Sequence, residues 1–346
     1  MKIAAVIAAI FFVMLPGPAP ADEHLIEVAT SSRQWTGIAV SRSGRVFVNF
    51  PRWSPEVPVS VGELGDDGEI TPYPNEGMNG WKAGEKPGSM FVCVQSVHVD
   101  RRDRLWILDP ASPFLQGVVE GGPKLMQVDL ATDEIVRIYH FDEDIAPEAS
   151  YLNDVRIDTL TETAFITESG LGAIIVLDLE SGVARRLLDS HSSTKAEEIE
   201  MIIGGRPFPV QVHADGIALG EDGYWLYYQA LTGRSLYRVP VAALRERGLD
   251  SEKLGAQVEF YAESGVSDGL LFGPGGVYLS ALEDDSIRRV SYDRTVSTVV
   301  EDPRILWPDS FALGPDGSVW FTTAQIHLGP DPPRPYRILR IPPGHE

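Results

Sequence analysis

The stretches GEDGYWLY at residues 220–227 and GPDGSVWF at residues 314–321 are two copies of one pattern, a turn closed by glycine and followed by a short aromatic or β-branched run. Four more copies follow the same plan: SRSGRVFV at 41–48, DRRDRLWI at 100–107, TLTETAFI at 159–166 and GPGGVYLS at 273–280. Aligned on Gly44, Asp103, Glu162, Gly223, Gly275 and Gly317, they are spaced by 59, 59, 61, 52 and 42 residues. A repeat of this length is one supersecondary unit that cannot cover both of its faces alone, so its neighbours must. Each copy has an apolar strand before the turn, an aromatic-rich strand after it and an alternating third strand, such as KLMQVDL at 124–130 and AIIVLDL at 173–179. Meandering units of this kind stack radially, and the pattern predicts an all-β, six-bladed β-propeller. A β-sandwich with as many strands would not repeat at this period.

Six such units fill residues 22–346 as a single domain. The segment LIEVA at 25–29 precedes the first unit and alternates as a strand does. It is expected to supply the outer strand of the sixth blade, so that the ring is closed by the N-terminal strand and no edge is left at the seam. Long connections are read at 54–89, 110–122 and 191–212, and such insertions commonly gather on one face and form its binding surface. The third holds Lys195 to Met201, read as a helical turn or two.

Composition narrows the partners. The chain has 346 residues, 29 Lys and Arg against 50 Asp and Glu, and a net charge of −21. That field repels phosphate backbones and anionic lipid, which argues against nucleic acid and membrane surfaces as partners. At the amino end Lys2 precedes an apolar run from Ile3 to Leu15, and Ala19-Pro20-Ala21 has the small-x-small form of a cleavage site. Residues 1–21 are therefore read as a signal peptide cleaved before Asp22. The mature chain is expected to be exported, periplasmic or secreted, with no membrane attachment. Cys93, the single cysteine, lies in an apolar strand-like run and reads as a buried small hydrophobe.

Inner strands of a propeller begin at its central channel, so residues at one offset before each turn converge there. Eight residues back lie Thr36, Gln95, Asp215 and Asp309; Asp268 lies seven back and Asn153 nine, differences that turn length would absorb. Three carboxylates in a partly desolvated ring repel and raise one another's pKa unless a cation sits among them. A small-molecule ligand carrying an ammonium group, or a divalent cation such as calcium, is the expected guest. Asp-Gly and Asn-Asp pairs also start turns and bond local backbone N–H groups, which is the alternative reading of the same residues. His98 and His213 lie beside this column, where an imidazole or a carboxylate such as Asp215 would serve as acid or base. Trp35 and Trp307 flank the ring and are expected as aromatic walls around a cationic ligand. Trp106, Trp225 and Trp320 sit at second-strand positions and read as packing residues between blades.

These residues resemble the major royal jelly protein/yellow family. The resemblance is carried by Ser96-Val97-His98-Val99-Asp100 leading to Leu105-Trp106-Ile107-Leu108-Asp109, by Leu152-Asn153-Asp154-Val155, by Leu236-Tyr237-Arg238-Val239-Pro240, and by Trp307-Pro308-Asp309-Ser310 with Phe321-Thr322-Thr323-Ala324-Gln325. It implies a six-bladed propeller and a choice of roles: dopachrome-converting enzymes, salivary proteins that bind biogenic amines, and nutritive proteins. In the amine binders a hydroxyl and an amide contact the ligand; Ser310 matches the first, and Ala324 stands where Asn is usual. A more distant similarity runs to the senescence-marker/gluconolactonase propellers, which hold a divalent ion with Glu, Asn and Asp. Asn153, Asp215 and Asp268 match three of those positions, and Thr36 stands in place of the first-blade Glu. The resulting expectation is a small polar or cationic, aromatic ligand at the channel, held by Trp35, Thr36, Gln95, Asn153, Asp215, Asp268, Trp307, Asp309 and Ser310, with dopachrome-tautomerase-like activity in view. The alternatives are a metal-dependent lactonase with its ion at Asn153, Asp215 and Asp268, and a non-catalytic interaction scaffold.

Overall fold

The computed structural model describes residues 24–345, so the signal-peptide reading lies outside the described residues. Six four-stranded antiparallel sheets follow one another along the chain. Their inner strands are Ile38–Val40, Ser96–Val99, Leu152–Asp158, Ala214–Leu219, Leu270–Gly273 and Pro308–Leu313. Each inner strand touches those of both neighbouring blades, and blade 6 returns to blade 1, which makes a closed ring around a central channel. The strand Ile26–Ser31 pairs antiparallel with Tyr336–Ile341, from Ile26 opposite Arg340 to Ser31 opposite Tyr336. The amino end thus supplies the outer strand of the sixth blade, and ring closure rests on the hydrogen bonds of that ladder.

All six aligned turn residues adopt positive φ, from 45° at Glu162 to 88° at Gly44. This explains the preponderance of glycine there, since other residues reach the left-handed region only at a cost. It also explains the uneven offsets. Blade 5 turns through two residues between paired Gly273 and Gly276. Blade 2 uses three between Asp100 and Arg104, and blade 3 four between Asp158 and Thr163. Once turn length is removed, Gln95, Asn153 and Asp268 each lie five residues before the last paired residue of the inner strand.

The core is built between blades. Phe47, Val61 and Tyr73 of blade 1 pack on Val97, Leu105 and Met126 of blade 2, and Trp106, Leu125 and Tyr139 of blade 2 pack on Leu152, Val155 and Ile175 of blade 3. Burying a side chain of this size stabilises by roughly 1.5–3 kcal/mol, so these seams hold the ring. Trp106 is fully buried among them and Cys93 is fully buried as well. At the ends of the second strands of blades 1 to 3, Asn49, Asp109 and Glu168 fasten the loops above. Asp109 accepts from the backbone N–H of Val92, Cys93 and Ala111 and pairs with the equally buried Lys124 at 2.9 Å.

Two connections differ from the sequence reading. The stretch 54–89 contains the third and fourth strands of blade 1, Val61–Leu64 and Ile70–Pro72, and a short helix, Glu76–Asn79. The polar, glycine-rich turn between those strands hides their alternation. Residues 195–201 are not helical: a 3-10 turn occupies Ser192–Thr194, and a small hairpin pairs Ile202–Ile203 with Arg206–Pro207. The chain is drawn out because Glu197 N–H donates to the Thr232 carbonyl at 2.7 Å and Ala196 N–H to His213 Nδ1 at 2.8 Å.

Candidate functional site

One mouth of the channel opens into a cavity of about 680 Å³. Its floor is formed by Gln95, Asn153, Asp215, Asp268 and Asp309, all buried, and its walls by Trp53, Tyr151, Phe208, Leu231, Trp307 and Ile326. Glu148 stands on the lining as well, and among the described residues no Lys, Arg or His does. The insertions at 110–122 and 191–212 supply part of the rim through Leu115, Gln116, Val210 and Val212.

At two of the three aspartates, Asp215 and Asp268, the next residue is a glycine that lets the adjacent blade come close. A Cβ on Gly216 would strike the Asp268 carbonyl, and one on Gly269 would strike the Asp309 carbonyl. Gly216 sits within an inner strand and Gly269 directly before one, neither with left-handed φ, so both Asp-Gly pairs are close-packing devices. Thr167 Oγ1 donates to the Asp215 carbonyl at 2.5 Å and adds a polar tie between blades 3 and 4.

Electrostatics follow from this crowding. Burial and the neighbouring Asp268 push Asp215 well above the usual carboxylate range, and burial with Asp268 does the same to Asp309. Burial also lifts Asp268, to about 6, against the lowering effect of hydrogen bonds from the Trp307 indole and from Asp215. Of the pair, Asp215 is the member that favours the proton and Asp268 the member whose ionised form its hydrogen bonds favour. Trp307 Nε1 donates to the Asp268 Oδ2 at 2.7 Å, and the indole is set by Phe208 edge-on at 5.0 Å and His327 stacked at 5.8 Å. Opposite, Trp53 Nε1 donates to Tyr151 Oη, Tyr151 donates to Gln95 Oε1 at 2.8 Å, and Gln95 Nε2 donates to Asn153 Oδ1. Beneath the floor, Asp154 accepts from Ser96 Oγ and from Arg156, whose other nitrogen reaches the Leu270 carbonyl across the channel at 2.7 Å.

Four expected site residues lie elsewhere. Trp35 is fully buried in the seam between blades 6 and 1, where its N–H donates to the Arg337 carbonyl, and it is no wall of the cavity. Thr36 is locked between Asn49 and the Gln95 carbonyl. Ser310 is off the cavity lining, bonded to Asp309 Oδ1 at 3.1 Å, because strand alternation turns it from the channel. His213 is also off the lining; its Nδ1 is held by Ala196, and burial and Lys195 lower its pKa. Tyr151, Trp53 and Phe208 carry no periodic signal, and only the length of the 191–212 connection pointed toward Phe208.

Calcium requires six to eight oxygens around one point. Among the described residues no three His, Cys, Asp or Glu side chains converge so as to hold an ion. One Asp268 oxygen is taken by Trp307, and Asn153 Oδ1 is taken by Gln95. The donor set at Asn153, Asp215 and Asp268 does not fit a divalent cation; it fits carboxyls that share protons.

The fold and the site define a closed propeller with an acidic channel floor under an aromatic-walled cavity. Residues 92–312 match the major royal jelly protein family, and the chain belongs to that family. It is 29% identical over 214 residues to major royal jelly protein 5 of Apis mellifera, covering 57% of this chain and 34% of that protein. It is 30% identical over 129 residues to the dopaminechrome tautomerase of Drosophila melanogaster, covering 34% of this chain and 26% of that protein. With the yellow-related salivary protein LJM17 of Lutzomyia longipalpis it shares 26% identity over 323 residues, 86% of this chain and 73% of the relative. The chain spans about a third of the length of the first royal jelly relatives it matches. A gluconolactonase from Xanthomonas campestris superposes with a TM-score of 0.57 at 12% identity, over 92% of this chain and 89% of that one, a likeness of fold.

Proposed function

We propose that the protein is exported and binds a small aromatic amine in this cavity. The observation that carries the reading is the buried triad Asp215, Asp268 and Asp309 under apolar walls with no protein cation on the lining. Buried carboxyls that repel one another are relieved by a cation, and an ammonium group on a flat apolar body satisfies both the floor and the Trp307 wall. The resemblance to amine-binding salivary proteins and the match to a yellow-related salivary protein support the same ligand class. The test is a calorimetric titration with dopamine and tyramine, set against the isosteric neutral alcohols. Binding of the amines and rejection of the alcohols is expected; equal binding of both would overturn the reading. Export is tested separately by the amino-terminal mass of the secreted form, expected to begin at Asp22.

A second reading concerns turnover, and the Asp215–Asp268 pair favours it. A dopachrome-like tautomerisation moves one proton from carbon and returns one to oxygen or nitrogen, with no net oxidation. Asp268 would accept the first and Asp215 donate the second, leaving the pair ready for the next cycle once the proton passes back between them. The similarity to a dopaminechrome tautomerase supports this chemistry. Loss of dopaminechrome turnover in Asp215→Asn with amine binding retained is the expected signature; unchanged turnover in that variant would contradict it.

A further inference from the structure

The channel has a second end, separated from the acidic cavity by Arg156, which braces blade 3 to the Leu270 carbonyl of blade 5. Below this plug lies a cavity of about 180 Å³, continuous with a wider depression of about 900 Å³ on the opposite face. The polar side chains lining the smaller cavity are His98, Arg101 and Arg156; the rest of its wall is apolar, with Leu219, Phe272 and Phe311 among it, and no acid lines it. In a chain with a net charge of −21 this is an inversion of sign. The distant negative charge is screened over a Debye length of ~8 Å, so the local cations govern what enters.

Arg156 is paired with Asp154 at 2.8 Å, so the groups with capacity left for a guest are Arg101 and His98. The Arg101 guanidinium donates to the Glu221 carbonyl and that of the nearby Arg42 to the Arg101 carbonyl; neither guanidinium has a carboxylate partner among the described residues. The imidazole of His98 has no hydrogen-bond partner among the described residues and faces the cavity. Burial and the charge of Arg156 hold it well below the ordinary histidine pKa. The charged groups around it are Arg156 on the blade 3 strand, with Asp154 behind it, and Arg101 on the turn of its own blade; blades 1, 4, 5 and 6 present apolar side chains.

We infer that this lower cavity is a binding site for a small organic carboxylate, its anionic head between Arg101, Arg156 and His98 and its apolar body against Phe272 and Phe311. Guanidinium groups recognise carboxylate by paired N–H donors, and the volume admits a single ring. The site is independent of the amine cavity, since the Arg156 brace and the Asp154 pair lie between them.

The test is calorimetric titration of the full protein with benzoate, with acetate and inorganic phosphate as comparisons, and NMR of the His98 ring. Wild type is expected to bind one benzoate, at least tenfold more tightly than acetate or phosphate, with His98 protonating at higher pH in the complex. Arg101→Gln and His98→Gln should each lose tenfold or more in benzoate affinity. Arg101 is exposed, so its replacement leaves the fold intact. No benzoate binding at millimolar concentration, unchanged affinity in both variants, or phosphate binding as tightly as benzoate would each overturn the assignment.

Discussion

The Trp307 indole N–H donates to Asp268 Oδ2 across 2.7 Å, and this bond ties the aromatic wall of the cavity to its acidic floor. Trp307 itself holds φ at 55°, a conformation its neighbours must enforce. Trp307→Phe keeps the ring but removes the donor. The buried Asp268 oxygen then lacks a partner, which costs about 1–3 kcal/mol, and Asp268 moves further above the usual carboxylate range. Denaturant unfolding should show that loss, and dopamine affinity should fall roughly tenfold, equivalent to about 1.4 kcal/mol.

The acidic ring makes stability depend on pH in an unusual direction. Asp268 rises from 3.8 to about 6 on folding, so the native state binds more protons than the unfolded chain between those values. Its contribution is fully present below pH 4 and lost as pH rises through 6. Asp215 and Asp309, also raised well above the usual carboxylate range by burial and by Asp268, act in the same direction. Asp268→Asn should therefore gain stability relative to wild type as pH goes from 4 to 7, measured by urea midpoints at each pH. An equal pH slope in the two proteins would count against a buried, repelling ring.

An amine entering the ring replaces those protons. Its binding should release protons to the buffer near pH 6.5, detected as a dependence of calorimetric enthalpy on buffer ionisation enthalpy. Affinity should rise between pH 5 and 8 while the ligand stays cationic.

Much of the fold was legible because the left-handed turn residue leaves a mark in each blade. Gly44, Gly223, Gly275 and Gly317 are where the backbone needs positive φ, and counting back from them reaches the channel. Blade 1 was read only halfway: the turn around Gly65 and Gly68, with Asp66 and Asp67, obscures the strands on either side. The floor residues were legible for the same reason as the turns, since Gln95, Asn153 and Asp268 keep one offset of five residues from the last paired residue before the turn. The walls were not. Trp35 has the expected sequence neighbours but points into the seam between blades, and Tyr151 and Phe208 reach the cavity from irregular segments whose course is set by tertiary contacts.

Gly269 lies where the Asp309 carbonyl crosses. Gly269→Ala forces the inner strands of blades 5 and 6 apart, an overpacking that typically costs 1–3 kcal/mol. Thermal unfolding should show this loss, and the amine affinity should drop with it because Asp309 is displaced.

Lys124 and Asp109 form a fully buried ion pair off the cavity lining. Lys124→Met leaves Asp109 with its backbone donors but no cation, and removing one partner of a buried pair costs about 3–5 kcal/mol. Urea unfolding should report that loss while the dopamine affinity of the remaining folded protein is unchanged.

The most direct test of the central claim is isothermal titration of dopamine into wild type and Asp268→Asn at pH 7.5. The account predicts saturable one-to-one binding to wild type and a loss of roughly 30-fold or more in the variant, the about 2 kcal/mol expected when a desolvated charge partner is removed. Equal affinity in the two proteins, or no binding to either, would contradict an acidic channel floor built to hold a cation.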